Sequence, residues 1–505
     1  MRIILKDKFC YIEGSPWEIR RAKSILTWRD KNTGFSYYLF RELEKNKLLE
    51  TYWGIYFYLK DWVKHELVLE TDYYPILLRL GKVQPKLVKE IDSNLLPGIT
   101  LFPHQLVGVR KALLYKTGVI EVATGGGKTE MFIATIKWIL ENENSDARFL
   151  VVVPSEFLLN QTYERFLKRG FSKSQLGKYY GKQKKLGQIT IRLINSVNKA
   201  FDENNPDLGF LNWHKELYGL VIDEAHHIRG ETYKRLLLNS MHAEYILGYS
   251  GSPYKETVET NFGDAIIQAI TGGVIYRVPM SYLVKEGLLA QMYVYFEKLG
   301  GQFAQFPTLW NEVYTKYIVE NKERNEKIIE WIRFFQEWKV PTLVLVQRLA
   351  HGKKLLNMLN DDKSVCIFGG GECYICEHGG LVNIGEIDYS ELKRKVENGE
   401  ILTIIASQVM DEGVDLPEVG AVIMAGAGKS SIKLKQRIGR GARKGSTGVS
   451  FLVDFKDIGH VYLYAQYKKR KELYQEQAIE EIDNSVEFKK KVIEVYGKEV
   501  ENEKI

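Results

Sequence analysis

The sequence is poor in cysteine: four thiols in 505 residues cannot form a disulfide framework, which excludes a small stapled fold and agrees with a reducing compartment. It also has no long hydrophobic run. No stretch reaches the ~18–20 uncharged apolar residues that a membrane span needs. Charge at Arg2, Lys6 and Asp7 interrupts the opening segment too soon for a secretory signal, so the expectation is a cytoplasmic protein without a membrane partner. Short-period repeats and low-complexity tracts are missing too. Finally, there is no strong charge of one sign: 71 Lys and Arg against 64 Asp and Glu give +7, an excess that permits a polyanionic partner without demanding one.

What is present is ordinary globular composition, 45% hydrophobic and 27% charged, with 9 Trp, 30 Tyr and 22 Phe, too aromatic for long disorder. The length fits two to four domains. Residues 1–95 read as a small α+β unit. Ser15-Pro16-Trp17-Glu18 reads as the capped start of a helix, and residues 51–59 are aromatic and β-prone. Its aromatic and basic content suits either a compact core or a nucleic-acid surface. From residue 96 the pattern changes to short apolar strands alternating with amphipathic helices. Residues 118–122, 149–153, 189–191 and 219–222 form one series of strands, and residues 342–346, 364–368, 402–406 and 421–424 a second. Such continuous apolar runs are expected of parallel strands covered on both faces. The predicted architecture is α/β, with two tandem doubly wound parallel-sheet domains at residues 96–290 and 291–472, the small N-terminal domain, and a charged helical tail at 473–505 that reads as a solvated face.

Chemistry enters at the end of the 118–122 strand. Ala123-Thr124-Gly125-Gly126-Gly127-Lys128-Thr129 leads into a helix. Glycines there let backbone N–H groups wrap a polyphosphate, and the helix N-terminus adds partial positive charge. Lys128 is placed to reach the β- and γ-phosphates of ATP and Thr129 to ligate Mg²⁺. Strand 219–222 runs into Asp223-Glu224-Ala225-His226, two acids at a buried strand end, where charge is costly unless it binds metal or does chemistry. Asp223 suits the Mg²⁺ and Glu224 the activation of the attacking water.

With these two clusters the chain resembles a superfamily 2 helicase, and further motifs follow in order. Phe102-Pro103-His104-Gln105 resembles the adenine-reading element, which implies that Gln105 bonds the ring; Phe102 stands where many members have Arg. Pro154, Ser155 and Gln161 resemble motif Ia, and Asn195-Ser196 a further strand-contacting motif. Ser250-Gly251-Ser252 takes the place of motif III, which with His226 links hydrolysis to movement. Gln347-Arg348 resembles motif IV, and Ser407-Gln408 through Asp415 motif V. Gln436-Arg437-Ile438-Gly439-Arg440-Gly441-Ala442-Arg443 matches motif VI, which implies that Gln436 lies near the γ-phosphate and that Arg440 and Arg443 act as arginine fingers. The resemblance implies two RecA-like domains. Within the superfamily it is greatest to the branch of phage UvsW and XPB. That implies a 3′-to-5′ ATP-dependent DNA helicase or translocase acting on single-stranded, forked or branched DNA in recombination, repair or replication, in a prokaryotic or phage-infected cell and beside other replication or recombination proteins. An ATP-gated clamp and an RNA helicase are the alternatives.

Two signals stand outside this set. Cys366, Cys373, Cys376 and His378 lie within one short stretch, readable as a zinc site or as buried thiols beside a β-hairpin insertion. Lys168, Arg169, Lys173, Lys178, Lys182, Lys184 and Lys185, with Tyr179 and Tyr180, form either a solvated loop or a phosphate-contacting one. The run Lys468-Lys469-Arg470-Lys471 reads as exposed helix.

Overall fold

A computed structural model describes residues 1–29, 36–181, 183–202, 205–229, 231–254, 262–301, 304–306, 309–368, 372–377, 379–407, 419–426 and 447–502. The chain divides into two compact units, Met1–Val122 with Gly127–Val278, and Ala123–Gly126 with Pro279–Ile505.

The first unit holds two sheets. The N-terminal one has five strands in the spatial order Arg41–Glu44, Leu48–Tyr52, Phe9–Glu13, Arg2–Lys6 and Glu66–Glu70. Register pairs Ile3 with Ile12 and Leu5 with Cys10, so alternation puts these four fully buried side chains on one face. The helix Pro16–Ile25 buries Ile19 and Ala22. Its N-cap Ser15 and Glu18 form a reciprocal capping box. Residues 53–59 are not strand: after Leu48–Tyr52 the chain turns through a 3₁₀ turn, Trp53–Ile55, into the short helix Tyr56–Leu59. Trp53, Ile55, Tyr56 and Leu59 are all buried, an all-round burial that aromatic content alone mimics with a strand.

The larger sheet has eight strands in the order Gln183–Lys184, Leu176–Tyr180, Ile189–Leu193, Arg148–Val153, Leu217–Asp223, Tyr245–Ser250, Thr117–Val122 and Val274–Val278. All neighbours are parallel except the first pair. Val122, Val153, Asp223 and Ser250 therefore end at one edge, where ligand crevices of open α/β sheets form. The basic stretch at 168–185 is partly built into this sheet, and Lys178 donates to Asn160 Oδ1 at 2.7 Å.

The two sheets share one continuous core. Arg79 is the main polar bolt between them: its Nη2 donates to Thr117 O at 2.9 Å and Thr271 O at 3.3 Å, and its Nη1 to Gly272 O. Its guanidinium also lies 5.2 Å from the Trp53 ring centroid. A Cβ on Gly54 would sit 2.2 Å from Gln268 O, so glycine is required for this approach.

The second unit is a nine-stranded sheet in the order Gly380–Glu386, Glu372–Glu377, Ser364–Ile367, Thr403–Ser407, Thr342–Val346, Ala421–Ile423, Val449–Asp457, Gln291–Leu299 and Glu480–Glu481. The last helix, Ser485–Asn502, is not a solvated tail. Phe488, Val492 and Tyr496 recur every four residues and pack into the core of this unit, an apolar stripe masked in the sequence by the charges around it. Arg470 likewise departs from the exposed-helix reading: it is buried, with Nε and Nη2 on the two carboxylate oxygens of Asp454 at 2.7 and 3.1 Å.

Of the two readings of the cysteine cluster, the structure shows the buried thiols and the hairpin, Glu372–Glu377 paired antiparallel with Gly380–Glu386. Cys373 and Cys376 both fall inside the strand Glu372–Glu377, three positions apart and so on opposite faces. Cys366 is buried on the neighbouring strand Ser364–Ile367. Burial pushes the Cys366 thiol up, and that of Cys373 up to about 11, as expected of small buried apolar side chains. His378 lies outside the described residues. Among the described residues no group of three or more His, Cys, Asp or Glu could hold a metal ion, and no helix is long and apolar enough to cross a membrane.

Candidate active site

The loop after Thr117–Val122 is built from conformations that only glycine takes without strain. Gly125 and Gly127 have φ of +88° and +82°, and a Cβ on Gly127 would lie 2.0 Å from Gln105 Nε2. The Gly126 N–H donates to Ala123 O at 3.0 Å, closing a tight turn. Gly127 is then the N-cap of the helix Lys128–Asn142, whose opening N–H groups have no partner within the helix. Glu130 in that first turn is gripped by Arg169, with Nε and Nη2 on its two oxygens at 2.9 and 3.0 Å, and by Arg165 at 3.8 Å. Its charge is thereby neutralised beside a place built for an anion.

Lys128 Nζ lies 4.0 Å from Glu224 Oε1. Asp223, buried at the end of its strand, accepts the Glu224 N–H on Oδ1 at 3.0 Å. Glu224 takes φ of +52°, a left-handed turn that costs a non-glycine residue about 1 kcal/mol. The second oxygen of Glu224 meets His226 Nδ1 at 3.3 Å, and His226 Nδ1 is 3.2 Å from Ser250 Oγ. Ser250 Oγ accepts the Ser252 N–H at 3.2 Å. One chain of contacts thus joins Lys128, Glu224, His226, Ser250 and Ser252. The Ser252 hydroxyl itself is buried with no partner among the described residues.

Burial, and after it the charge of Glu224, pushes the Asp223 carboxyl up, with Lys128 pulling it back. Asp223 is buried and carries a second carboxylate beside it, with Lys128 and Arg165 as the cations that act on it. This donor set fits a divalent cation held by Asp223 and Thr129, which keeps most of its water as Mg²⁺ prefers. The glycine cradle, with Thr124 and Thr129 half-buried on it, fits a polyphosphate.

Gln105 is buried against Gly127, but its Oε1 accepts the Phe102 N–H at 2.8 Å. That oxygen caps the helix Pro103–Tyr115 instead of standing open to an adenine edge. Phe102 is exposed and stacked on His104.

The candidate strand-contacting residues are spread over both units. Pro154 and Ser155 sit at the carboxyl edge of the first sheet, where Ser155 Oγ accepts the Leu158 N–H at 3.3 Å as the N-cap of Glu156–Lys168. Gln161 is half-buried on that helix. Asn195 is exposed and Ser196 half-buried, both on a cavity of about 680 Å³ lined also by Tyr179, Lys184, Arg192 and Asp207. In the second unit, the Gln347 N–H donates to Tyr314 Oη at 3.2 Å. Arg348 turns back onto its own unit, bonding Thr315 Oγ1 at 2.7 Å and Asn311 Oδ1 at 3.0 Å and lying over the Tyr314 ring. Its guanidinium braces this loop, so its geometry is that of a positioning residue. Ser407 ends the strand Thr403–Ser407. Gln408, Asp415, Gln436, Arg440 and Arg443 lie outside the described residues.

Sequence reading missed two sets of supports. Arg192 is buried between the Phe210 and Tyr179 rings, at 3.8 and 4.6 Å, and bonds Ser196 through Oγ and O. The segment of Asn311, Tyr314 and Thr315 holds Gln347 and Arg348. Only the i, i+4 spacing of Arg192 and Ser196 gave a local signal; the other contact joins residues more than thirty positions apart.

Residues 86–255 match the family described as Type III restriction enzyme, res subunit, and residues 321–445 match Helicase conserved C-terminal domain. A protein of Sulfolobus islandicus filamentous virus that carries the name helicase 22 is 24% identical over 86% of this chain and 76% of its own length. The DNA 3′-5′ translocase XPB2 of Sulfurisphaera tokodaii is 23% identical over 68% of this chain and 79% of its own. Among solved structures, the DUF1998 helicase MrfA bound to DNA and AMPPNP superposes with a TM-score of 0.53 at 15% identity, covering 80% of this chain and 56% of that one, a likeness of fold. With the res-subunit and helicase C-terminal matches, the two RecA-like sheets and Lys128 facing Glu224, the chain is a superfamily 2 helicase that resembles XPB, and an ATP hydrolase.

Proposed function

We propose that the protein is an ATP-driven DNA helicase or translocase, moving 3′ to 5′ and acting on forked or branched intermediates of recombination, repair or replication. The observation that carries this reading is the unbroken chain from Lys128 through Glu224 and His226 to Ser250 and Ser252, because it ties the hydrolytic acid to the segment expected to transmit movement. The name of its relative from Sulfurisphaera tokodaii, a DNA 3′-5′ translocase, supports DNA and that polarity.

In this mechanism Lys128 and the loop N–H groups hold the triphosphate, and Glu224 orients the attacking water and takes its proton. Asp223 and Thr129 would hold Mg²⁺, which would neutralise charge at the phosphates. Arg440 and Arg443 supply further positive charge to the γ-phosphate from the second domain, and the Gln436 amide adds a neutral hydrogen bond there. Loss of that phosphate changes what faces Glu224, and His226 passes the change to Ser250. Pro154, Ser155, Gln161, Asn195, Ser196, Gln347, Ser407 and Gln408 contact the strand through groups that position without reading sequence.

The test is strand displacement on partial duplexes with 3′ or 5′ single-stranded tails, on forks and on four-way junctions, with RNA counterparts. Displacement of DNA dependent on ATP and on a 3′ tail is the expected result. ATP turnover with every duplex left intact would argue for a clamp, and displacement of RNA alone for an RNA helicase.

A further inference from the structure

All nine tryptophans of the chain lie among the described residues, and only Trp17 and Trp62 are exposed, at 61% and 48%. Both belong to the N-terminal sheet unit, and one guanidinium connects them. Arg21 lies 5.7 Å from the Trp17 ring centroid and donates from Nη2 to Trp62 O at 3.1 Å. Trp17 and Arg21 are one helical turn apart on Pro16–Ile25, and Trp62 follows the helix Tyr56–Leu59. Inward, Trp62 continues into a run of rings, Tyr58 at 6.2 Å and then Trp28 at 6.3 Å, so its position is fixed from beneath.

The surroundings are cationic. Arg20, Lys60 and Lys64 are exposed, and none has an ion-pair partner among the described residues. Glu18, next to Trp17 in the chain, is already paired with the N-terminal ammonium and bonded to the N–H and Oγ of Ser15 at 2.8 and 2.9 Å; Asp61 is next to Trp62. Tryptophan, with an apolar body and a polar N–H, is enriched at recognition surfaces. Exposed flat rings with unpaired cations close by in the chain suit a single strand of nucleic acid: bases stack on the rings, and phosphates meet the charges.

We infer that Trp17, Arg21 and Trp62 form a stacking platform for single-stranded nucleic acid, with Arg20, Lys60 and Lys64 along the phosphates. The inference deepens the nucleic-acid reading above and rests on it. The platform is fixed to the motor. Arg79 joins the N-terminal unit to Thr117 O, the first residue of the strand that carries the phosphate loop, and the two sheets share one core. A strand held on the platform moves with the ATP-binding domain.

The test uses the full chain and a fluorescent oligo-dT strand, with affinity read by anisotropy and salt dependence by repeating it across a salt series. Stacking energies per base lead to an expected rise in Kd of roughly tenfold or more for Trp17→Ala with Trp62→Ala. The pair Trp17→Phe with Trp62→Phe, which keeps flat rings, is expected to stay within about threefold. Arg20→Gln with Lys64→Gln is expected to lower the salt slope by about one to two, as lost phosphate contacts do. An unchanged Kd in the Ala pair overturns the platform. So does a result in which the Ala pair loses an acidic polyglutamate probe but keeps the oligonucleotide, which would assign the surface to an acidic protein partner. Failure of the parent protein to bind any nucleic acid would instead overturn the broader reading.

Discussion

Lys128 and Glu224 touch the same reaction from opposite sides, so their removal separates binding from chemistry. Lys128→Ala is expected to weaken nucleotide binding and abolish turnover together, whereas Glu224→Gln keeps the shape and loses only the base. For Glu224→Gln we expect roughly 10²–10⁴-fold slower hydrolysis with nucleotide affinity nearly unchanged, checked by single-turnover hydrolysis and equilibrium binding. Equal loss of affinity in both variants would contradict the assigned roles. At this scale much of the site was legible. The Gly125-to-Thr129 loop and the Asp223-to-His226 box are contiguous in the chain, and contiguous residues declare their spacing. Arg348 was not legible, because its partners Asn311 and Thr315 lie more than thirty residues away. Nor was the use of Gln105 Oε1 as a helix cap, since an amide suited to an adenine is equally suited to a backbone N–H.

The elements show where patterns are lost under charge. Ser485–Asn502 is rich in Lys and Glu, yet Phe488 is fully buried against Trp331 and Phe451. Phe488→Ala is expected to cost about 3–5 kcal/mol of stability in the second unit, read as a lowered denaturation midpoint for that unit. A change under ~0.5 kcal/mol would mean the helix does not pack as described.

Two buried histidines give this scale a pH dependence. Burial holds His214 down to about 4 and His351 down to about 3, with His242 and then Arg192 adding to the effect for the first, and Arg324 and Lys354 for the second. His351 Nε2 is bonded to Asn325 Oδ1 at 2.9 Å and His214 Nε2 to Ser240 Oγ at 2.9 Å. Both are neutral when folded, and in the unfolded chain both take a proton near pH 6.5. Their contribution is therefore intact above about pH 6.5 and is lost as the pH falls from there toward about 4 and about 3. Thermal midpoints measured from pH 7.5 to 4.5 should fall, and His351→Asn should flatten part of that fall. An equally steep profile in His351→Asn would rule out this source.

For the whole molecule, the alternation of strands and helices was enough to set out two parallel sheets, because runs such as Phe149 to Val153 are apolar on both faces. The boundaries were less visible. The units divide after Val278 rather than at residue 290, and the N-terminal sheet shares a core with the first motor domain instead of standing alone. Contacts such as Arg79 with Thr117 and Gly272 link residues far apart in sequence, where no local pattern exists to announce them. If arginines from the second domain complete the hydrolytic site, Arg440→Ala and Arg443→Ala should each slow turnover by about 10³-fold or more while leaving nucleotide binding by the first unit largely in place. Turnover within tenfold of the parent in both variants would remove them from the mechanism.

The central claim is that nucleic acid drives ATP hydrolysis at the Lys128 and Glu224 site. The most direct measurement is steady-state ATP turnover of the parent protein and of Lys128→Ala, with and without single-stranded, forked and four-way DNA and RNA. The expected result is turnover that rises on adding DNA in the parent and is absent under every condition in Lys128→Ala. Turnover retained by Lys128→Ala, or a parent indifferent to every nucleic acid, would contradict it.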